Sequence, residues 1–163
     1  MKSAKKIITL DGDMGERTYS FLEQLGTPLN INNTCIFNTS NIKIIAEKEE
    51  FQHMIINDIR DGKKLFIPSM SNDFVTSLEH TLKNEFPDKS ESIKIYNSFQ
   101  ADNIKEYDMK NILEEWSKLD CVLSTPTIEA GVSYDCERFD KIYGVISDGS
   151  CSQRSYCQMM ARI

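Results

Sequence analysis

Apolar and polar positions along the chain follow two alternating patterns. Short apolar runs of strand length occur at 5–10, 63–68, 93–98, 121–125 and 141–147. Between most of these runs, apolar residues recur every three or four positions, which is typical of amphipathic helices. The chain is therefore predicted to alternate strands with helices.

The first two predicted helices have clear end signals. A helix over 16–26 ends at Gly26, and a second, with Phe51 and Ile59 on its apolar stripe, ends at Asp61-Gly62. Residues 29–46 lie between them and alternate Asn and Thr with Ile and Phe. That alternation predicts two half-exposed strands around a turn at 38–41.

The later helices are predicted from caps and stripes. Ser71 or Asn72 is the expected N-cap of a helix that ends before Pro87. Asp108 is the expected N-cap of another helix, whose apolar stripe contains Met109, Ile112, Leu113 and Trp116. Residues 152–163 form the last predicted helix.

Strands joined by helices of this length form a mostly parallel sheet, because each crossover returns the chain to the same end of the sheet. The fold class is therefore α/β. In such sheets ligands bind at the carboxyl ends of the strands. Four predicted strands end in small polar residues, which favours one functional edge: Asp11-Gly12-Asp13, Ser69-Met70-Ser71, Asn97-Ser98 and Ser124-Thr125.

Composition excludes several classes of protein. A net charge of −6 over 163 residues argues against a protein that coats nucleic acid, which needs a basic surface. It does not exclude a motor that touches a few phosphates through hydroxyls and backbone amides. No apolar stretch approaches the ~20 residues needed to span a bilayer. The five cysteines form no CxxC pair, which predicts a reducing, intracellular compartment.

The loop at 124–135 offers groups that suit a nucleotide or a nucleic acid. Thr125 and Thr127 could donate hydrogen bonds to phosphate oxygens, and Glu129 and Asp135 could contact a ribose hydroxyl. The alternative is an ordinary connection between a strand and a helix.

The last predicted helix places Arg154, Gln158 and Arg162 on one face. The opposite face holds Tyr156, Met160 and Ile163. A packed helix that fixes an arginine suits the charge on a γ-phosphate, because guanidinium binds oxyanions bidentately. A surface helix with solvated arginines is the alternative.

Other residues allow simpler interpretations. Asp11 and Asp13 could hold Mg²⁺ or act as nucleophile and acid in a phosphatase-like hydrolase, with Lys64 and Asp148 as poorly placed partners. They could equally form a turn. His53 and His80 are interpreted as solvated or satisfied histidines rather than metal ligands, and Trp116 as a core residue.

Taken in order, these segments resemble the second RecA-like lobe of a superfamily 2 helicase, and more narrowly the replication-origin-binding helicases of herpesviruses and large DNA viruses. The stretch 63–78 resembles motif IV, 93–98 the strand after it, LSTPTIEAGVSYD at 123–135 motif V, and QMMARI at 158–163 motif VI. IITLDGDM at 7–14 resembles the end of the first lobe. Ala161 stands where many members have Gly.

The resemblance implies a three-layer sandwich at 36–163, cut off at motif VI, with 1–35 as the end of the first lobe or a leading strand and helix. It implies that Thr125 and Thr127 lie near nucleic-acid phosphates. Ser71 and Ser98, at strand ends in the matching stretches, are assigned to nucleic acid as well.

The resemblance also places Gly131 and Asp135 near the nucleotide, and Glu129 of the same loop is assigned to the nucleotide with them. Gln158 and Arg162 would then face the γ-phosphate of ATP.

No GxxxxGK[ST] P-loop and no Asp-Glu Walker B pair occurs in the chain. ATP and Mg²⁺ would therefore be held mainly by an absent first lobe, and the 163 residues alone are predicted not to hydrolyse ATP. The expected partners are single-stranded or duplex DNA and that lobe, with no membrane, in the nucleus or at a viral replication site. The hydrolase and a non-catalytic nucleic-acid-binding module remain the alternatives.

Overall fold

The structure, a computed structural model, describes residues 20–21, 23–24, 42–126, 138–148 and 151–160; the side chains of 153, 154 and 158 are outside this description. The chain divides into two compact units, Met1–Ile42 and Lys43–Ile163. In the first unit Ser20, Phe21 and Glu23 are helical, within the helix predicted over 16–26. The boundary predicted at residue 35 and the strand predicted at 5–10 lie outside the described residues.

The second unit alternates strands and helices, as the sequence predicts. Its described elements are, in order, α1 (Lys48–Arg60), β1 (Leu65–Pro68), α2 (Asn72–Glu85), a 3₁₀ turn (Pro87–Ser92), β2 (Ile93–Tyr96), α3 (Asp102–Lys110), α4 (Ile112–Ser117), β3 (Cys121–Ser124), β4 (Lys141–Ile142) and α5 (Gln153–Met160). None of the described helices is long and apolar enough to cross a membrane.

The four described strands form one sheet in the order β2-β3-β1-β4, and every pairing is parallel. Leu65 of β1 lies opposite Cys121 of β3, which in turn lies opposite Ile93 of β2. All four residues of β1 and of β3 are buried, as expected for central strands covered on both faces. The predicted α/β class with a parallel sheet is confirmed.

Two apolar cores lie on the two faces of the sheet, because successive strand residues point to opposite faces. Leu65 and Ile67 join the core formed with α1 and α2, whereas Phe66 between them joins the core formed with α4. Val122 of β3 lies opposite Phe66 and also belongs to the second core. Helices on both faces make the described unit a three-layer sandwich, which agrees with the predicted architecture.

Several local predictions are confirmed. The Ser71 hydroxyl caps α2 by accepting a hydrogen bond from Phe74 N at 3.2 Å. Trp116 is 1% exposed and Cys121 is fully buried, so both are core residues. His53 and His80 are exposed, as interpreted from the sequence.

The prediction of Asp108 as an N-cap is wrong. Asp108 lies in the last turn of α3, is buried, and its Oδ2 lies 2.7 Å from Lys94 Nζ on β2. A partner on a distant strand accommodates this carboxylate, and local sequence does not reveal it. Leu113 also departs from the predicted stripe, since it is 55% exposed.

Two strand predictions need correction. Residues 42–46, the described part of the alternating segment, form no regular structure, and Ile42 and Ile44 are exposed because no described strand pairs with them. The strand predicted over 141–147 is regular only at Lys141–Ile142. Beyond it the chain stays beside β1 through hydrogen bonds from Tyr143 N to Phe66 O and from Val145 N to Pro68 O.

A buried carboxylate joins α1 to the amino end of the sheet. Asp58 of α1 is 6% exposed and accepts hydrogen bonds from Lys63 Nζ at 2.6 Å, Lys141 Nζ at 2.6 Å and Tyr143 Oη at 2.5 Å. Burial alone would raise the pKa of this carboxyl, but the hydrogen bonds from Lys141, Lys63 and Tyr143 outweigh it and lower the pKa to about 2. The ionised form of Asp58 therefore stabilises the fold.

This cluster predicts acid-sensitive stability. Because the folded pKa of Asp58 is lower than its unfolded value, its contribution of about 2 kcal/mol is present above pH ~4 and is lost as the pH falls toward 2. Asp58→Asn should lower the free energy of unfolding at pH 7 by about 2 kcal/mol. Between pH 4 and 2, the free energy of unfolding of this variant should change less with pH than that of the wild-type chain. Urea unfolding of both proteins at pH 7, 4, 3 and 2 measures this.

Asp61→Asn is the matched control, because Asp61 is an exposed carboxylate just beyond the same helix. It should leave the free energy of unfolding unchanged to within about 0.5 kcal/mol. If the free energy of unfolding varies with pH in the same way for the wild-type chain and Asp58→Asn, the ionised form of Asp58 does not stabilise the fold.

Candidate functional site

The carboxyl ends of three strands meet at one edge of the sheet. Ser69 N, just beyond β1, donates to Ser124 O at the end of β3, at 2.8 Å. Thr125 N, just beyond β3, donates to Tyr96 O at the end of β2, at 2.9 Å. The small polar residues that follow these strands therefore lie side by side, and we call this region the carboxyl edge.

The turn after β1 is fixed by a serine pair. Ser69 is fully buried; its hydroxyl donates to Ser71 O and accepts from Ser71 N, both at 2.9 Å. Ser71 then caps α2, so the amino end of that helix opens at the carboxyl edge. Because the cap uses Ser71 Oγ as an acceptor, its hydroxyl proton can still be donated, for example to an anionic oxygen.

The turn after β2 is fixed by a buried asparagine. Asn97 is 5% exposed, and its Oδ1 accepts a hydrogen bond from Phe99 N at 3.1 Å. This closed turn leaves Ser98 and Phe99 at the surface; the Phe99 side chain is 79% exposed.

At the end of β3 the hydroxyls turn inward. Thr125 is 5% exposed and its hydroxyl donates to Tyr96 O at 3.5 Å. Ser124 is fully buried, and within the described part of the chain its Oγ has no hydrogen-bond partner. A buried hydroxyl without a partner costs roughly 1–3 kcal/mol.

Helix α5 is anchored at the same edge. The buried Tyr156 donates from its hydroxyl to Pro68 O, the last carbonyl of β1, at 2.9 Å. Burial raises the pKa of Tyr156, which keeps this hydroxyl protonated as a donor. A Cβ at Gly144 would lie 2.8 Å from Tyr156 Oη and 3.3 Å from Met160 Sδ, so glycine permits the close approach of α5. Tyr156 and Met160 thus lie on the inner face, as predicted.

The structure brings three predicted nucleic-acid contacts together: Ser71, Ser98 and Thr125 all lie at the carboxyl edge. Gln158 lies within α5, but its side chain is outside the description. The remaining predicted site residues lie outside the described residues: Thr127, Glu129, Gly131, Asp135 and Arg162. Their roles stay predictions.

Sequence reasoning missed the residues that hold this edge in shape. Ser69 and Asn97 belong to the polar strand ends that the sequence marks, yet a role is predicted only for their neighbours, the half-buried Ser71 and the exposed Ser98. A small polar residue directly after a buried strand was the available signal, because its side chain can close the following turn. Nothing local marked Phe99 as an exposed aromatic residue.

The hydrolase alternative receives no support from the described residues. Lys64 precedes β1 and pairs with Asp120, at the amino end of the sheet. Asp148 follows Val145, which lies beside Ser69 at the carboxyl end. Parallel strands keep these two ends apart, so Lys64 and Asp148 cannot serve one site. Asp11 and Asp13 lie outside the described residues, and no three described His, Cys, Asp or Glu residues are grouped to hold a metal ion.

Similar proteins come from large DNA viruses. A "Putative replication origin-binding protein" of Acanthamoeba polyphaga mimivirus is 34% identical over 165 residues, covering 99% of this chain and 20% of that protein. A "Putative helicase/primase complex protein" of African swine fever virus (strain Badajoz 1971 Vero-adapted) is 29% identical over 171 residues, covering 100% of this chain and 16% of that protein. An "Uncharacterized putative helicase R8" of the same mimivirus is 28% identical over 172 residues, covering 100% of this chain and 16% of that protein.

The chain thus spans a fifth or less of the length of these relatives. Their names support a relationship to viral replication helicases. No family model matches the chain, and no solved structure matches it.

Proposed function

We propose that the chain is the C-terminal motor lobe of an ATP-dependent DNA helicase that acts in replication. One observation carries the proposal: a parallel three-layer unit gathers the ends of β1, β2 and β3, together with the anchor of α5, at one edge. The similarity along the whole chain to proteins named for origin binding and helicase activity supports the same function.

In this proposal the carboxyl edge follows a DNA backbone. Ser71 and Ser98 donate hydroxyl hydrogen bonds to phosphates, and Thr127 adds a contact from the loop. Thr125 contributes mainly by fixing the edge, since its own hydroxyl turns toward the Tyr96 carbonyl. Few cations are needed, which fits a net charge of −6, because hydroxyls and backbone amides bind phosphate without a basic surface.

The nucleotide is proposed to lie against the loop after β3 and the end of α5. Glu129, Gly131 and Asp135 would contact the nucleotide, and Gln158 with Arg162 would contact its γ-phosphate. The described residues offer no group of carboxylates for Mg²⁺, and the chain has no P-loop. ATP and Mg²⁺ fit this chain only as one side of a shared site, in which a first lobe supplies the phosphate-binding loop.

Domain closure would then couple the nucleotide to DNA. Arg162 would be in place only when the two lobes close around ATP, and opening would release the DNA contact at the carboxyl edge. Such hinge closure is a common way for a ligand to drive movement.

A segment exchange tests the proposal. The mimivirus relative would have its aligned 165 residues replaced by this chain, and ATP hydrolysis would be measured with and without single-stranded DNA. We expect the exchanged protein to retain DNA-stimulated hydrolysis within about tenfold of the unaltered relative, because this lobe supplies the same side of the site.

The control protein lacks the segment and should hydrolyse ATP at background rate. The 163 residues alone should do the same. An exchanged protein that unfolds cooperatively, yet hydrolyses no more ATP than the control, would show that this chain is not a motor lobe.

A further inference from the structure

We propose that Phe99 is a stacking platform for a nucleobase of single-stranded nucleic acid. The inference rests on the proposed function and adds a base contact to the phosphate contacts proposed for the carboxyl edge. Phe99 follows β2 at the carboxyl edge, and its 79% exposure is the highest of the aromatic side chains in the described part of the chain. At this exposure the Phe99 ring packs little against the described residues.

The Phe99 ring stands on a fixed backbone. The buried Asn97 accepts a hydrogen bond from Phe99 N at 3.1 Å, and Gln100 N donates to Asn97 O at 3.4 Å. Because the turn is closed before any ligand arrives, little backbone freedom is lost on binding, and this favours affinity.

A concavity of about 470 Å³ lies between Phe99 and the exposed flank of α2. Asn72, Thr76 and His80 of α2 contribute to its lining. The concavity is open to solvent, so a base can reach the Phe99 ring from the surface.

The charge of the concavity favours binding of a nucleobase over binding of a phosphate group of the same nucleic acid. Asp73 is among the lining residues, and no described residue that lines it is lysine or arginine. The Asp73 carboxylate repels phosphate, whereas an uncharged base that stacks on an aromatic ring meets no such penalty. Phosphates would instead lie against the hydroxyls at the carboxyl edge.

An amide group in the lining is suited to read a base. Asn72 lines the concavity, and its Oδ1 is buried without a hydrogen-bond partner among the described residues. An asparagine amide can accept a hydrogen bond from an N–H on a base edge, as Asn does in base recognition. The concavity therefore combines stacking with a hydrogen-bond acceptor.

The test compares two oligomers that carry the same phosphates, oligothymidylate and an abasic oligomer of equal length, both labelled with fluorescein. Dissociation constants for the 163-residue chain would come from fluorescence anisotropy at fixed salt. We expect tighter binding of oligothymidylate, because only its bases can stack. Phe99→Ala should weaken oligothymidylate binding roughly 5- to 100-fold and leave abasic binding unchanged.

Two variants sharpen the result. Phe99→Tyr keeps an aromatic face and should bind oligothymidylate within about twofold of wild type. Tyr107→Ala is the matched control, because it removes another exposed aromatic ring, on α3, outside the lining of the concavity. It should change neither dissociation constant.

The outcomes separate this inference from the function on which it rests. The stacking platform is excluded if the wild-type chain binds the two oligomers equally. It is also excluded if Phe99→Ala leaves both dissociation constants unchanged or changes them by the same factor. In these cases the DNA binding proposed for the carboxyl edge is retained. If the chain binds neither oligomer at millimolar concentration, the DNA binding proposed for the carboxyl edge and the stacking platform are both excluded.

Discussion

Arg162→Ala in the exchanged mimivirus protein should lower the rate of ATP hydrolysis by at least about 10³-fold. The guanidinium is proposed to stabilise charge on the transferred phosphoryl group. DNA affinity and ATP affinity should stay within about threefold, because the effect belongs to the transition state. Steady-state kinetics with saturating DNA, together with equilibrium binding of both ligands, measures this.

Arg162→Lys should restore little of the activity, because ammonium cannot form the bidentate contact of guanidinium. Arg60→Ala is the matched control: Arg60 lies on α1, is exposed, and pairs with Glu85 at 3.0 Å. It should leave hydrolysis unchanged. An Arg162→Ala protein that hydrolyses ATP at half the wild-type rate would remove Arg162 from the site.

Trp116→Ala should lower the free energy of unfolding of the 163-residue chain by about 3–5 kcal/mol. Trp116 is 1% exposed and packs against Phe66 and Phe139 at centroid distances of 5.8 and 6.0 Å. Its indole Nε1 also donates to Tyr96 Oη at 3.2 Å. Truncation leaves a cavity between α4 and the sheet and removes that donor. Urea unfolding followed by circular dichroism measures the loss.

Leu113→Ala is the matched control on the same helix. Leu113 is 55% exposed, so its truncation should cost less than about 0.5 kcal/mol. Equal losses for the two variants would mean that α4 presents a different face to the sheet. The melting temperature should fall by about 6–20 °C for Trp116→Ala alone.

The fold could be predicted because its signals are local. The buried strands at β1 and β3 appear in the sequence as continuous apolar runs, and the capping residue Ser71 marks the start of α2. Parallel pairing then follows from the alternation with helices. These features depend on neighbours a few residues apart, which a single sequence contains.

The incorrect predictions concern residues whose surroundings include partners distant in sequence. Asp108 has the residue type of an N-cap, but Lys94 on β2 holds it inside α3. Leu113 and Trp116 have the same apolar character and lie on the same helix, yet only Trp116 packs against the sheet. The regular strand at β4 is also shorter than its apolar run, and Gly144 within that run lies against Tyr156 of α5.

The candidate site could be predicted only in outline. Polar strand ends indicated the carboxyl edge, and Ser71, Ser98 and Thr125 lie there. The inward turn of the Thr125 hydroxyl and the closure of the Asn97 turn depend on side-chain geometry that no sequence pattern expresses. The exposure of Phe99 likewise depends on that turn.

The most direct measurement is an experimental structure of the exchanged mimivirus protein with a non-hydrolysable ATP analogue. We expect the Arg162 guanidinium to lie at the carboxyl edge, within hydrogen-bonding distance of the γ-phosphate, at the end of the sheet where Tyr156 contacts Pro68. An Arg162 side chain at the opposite end of the sheet, beside Asp58 and Lys141, would contradict it.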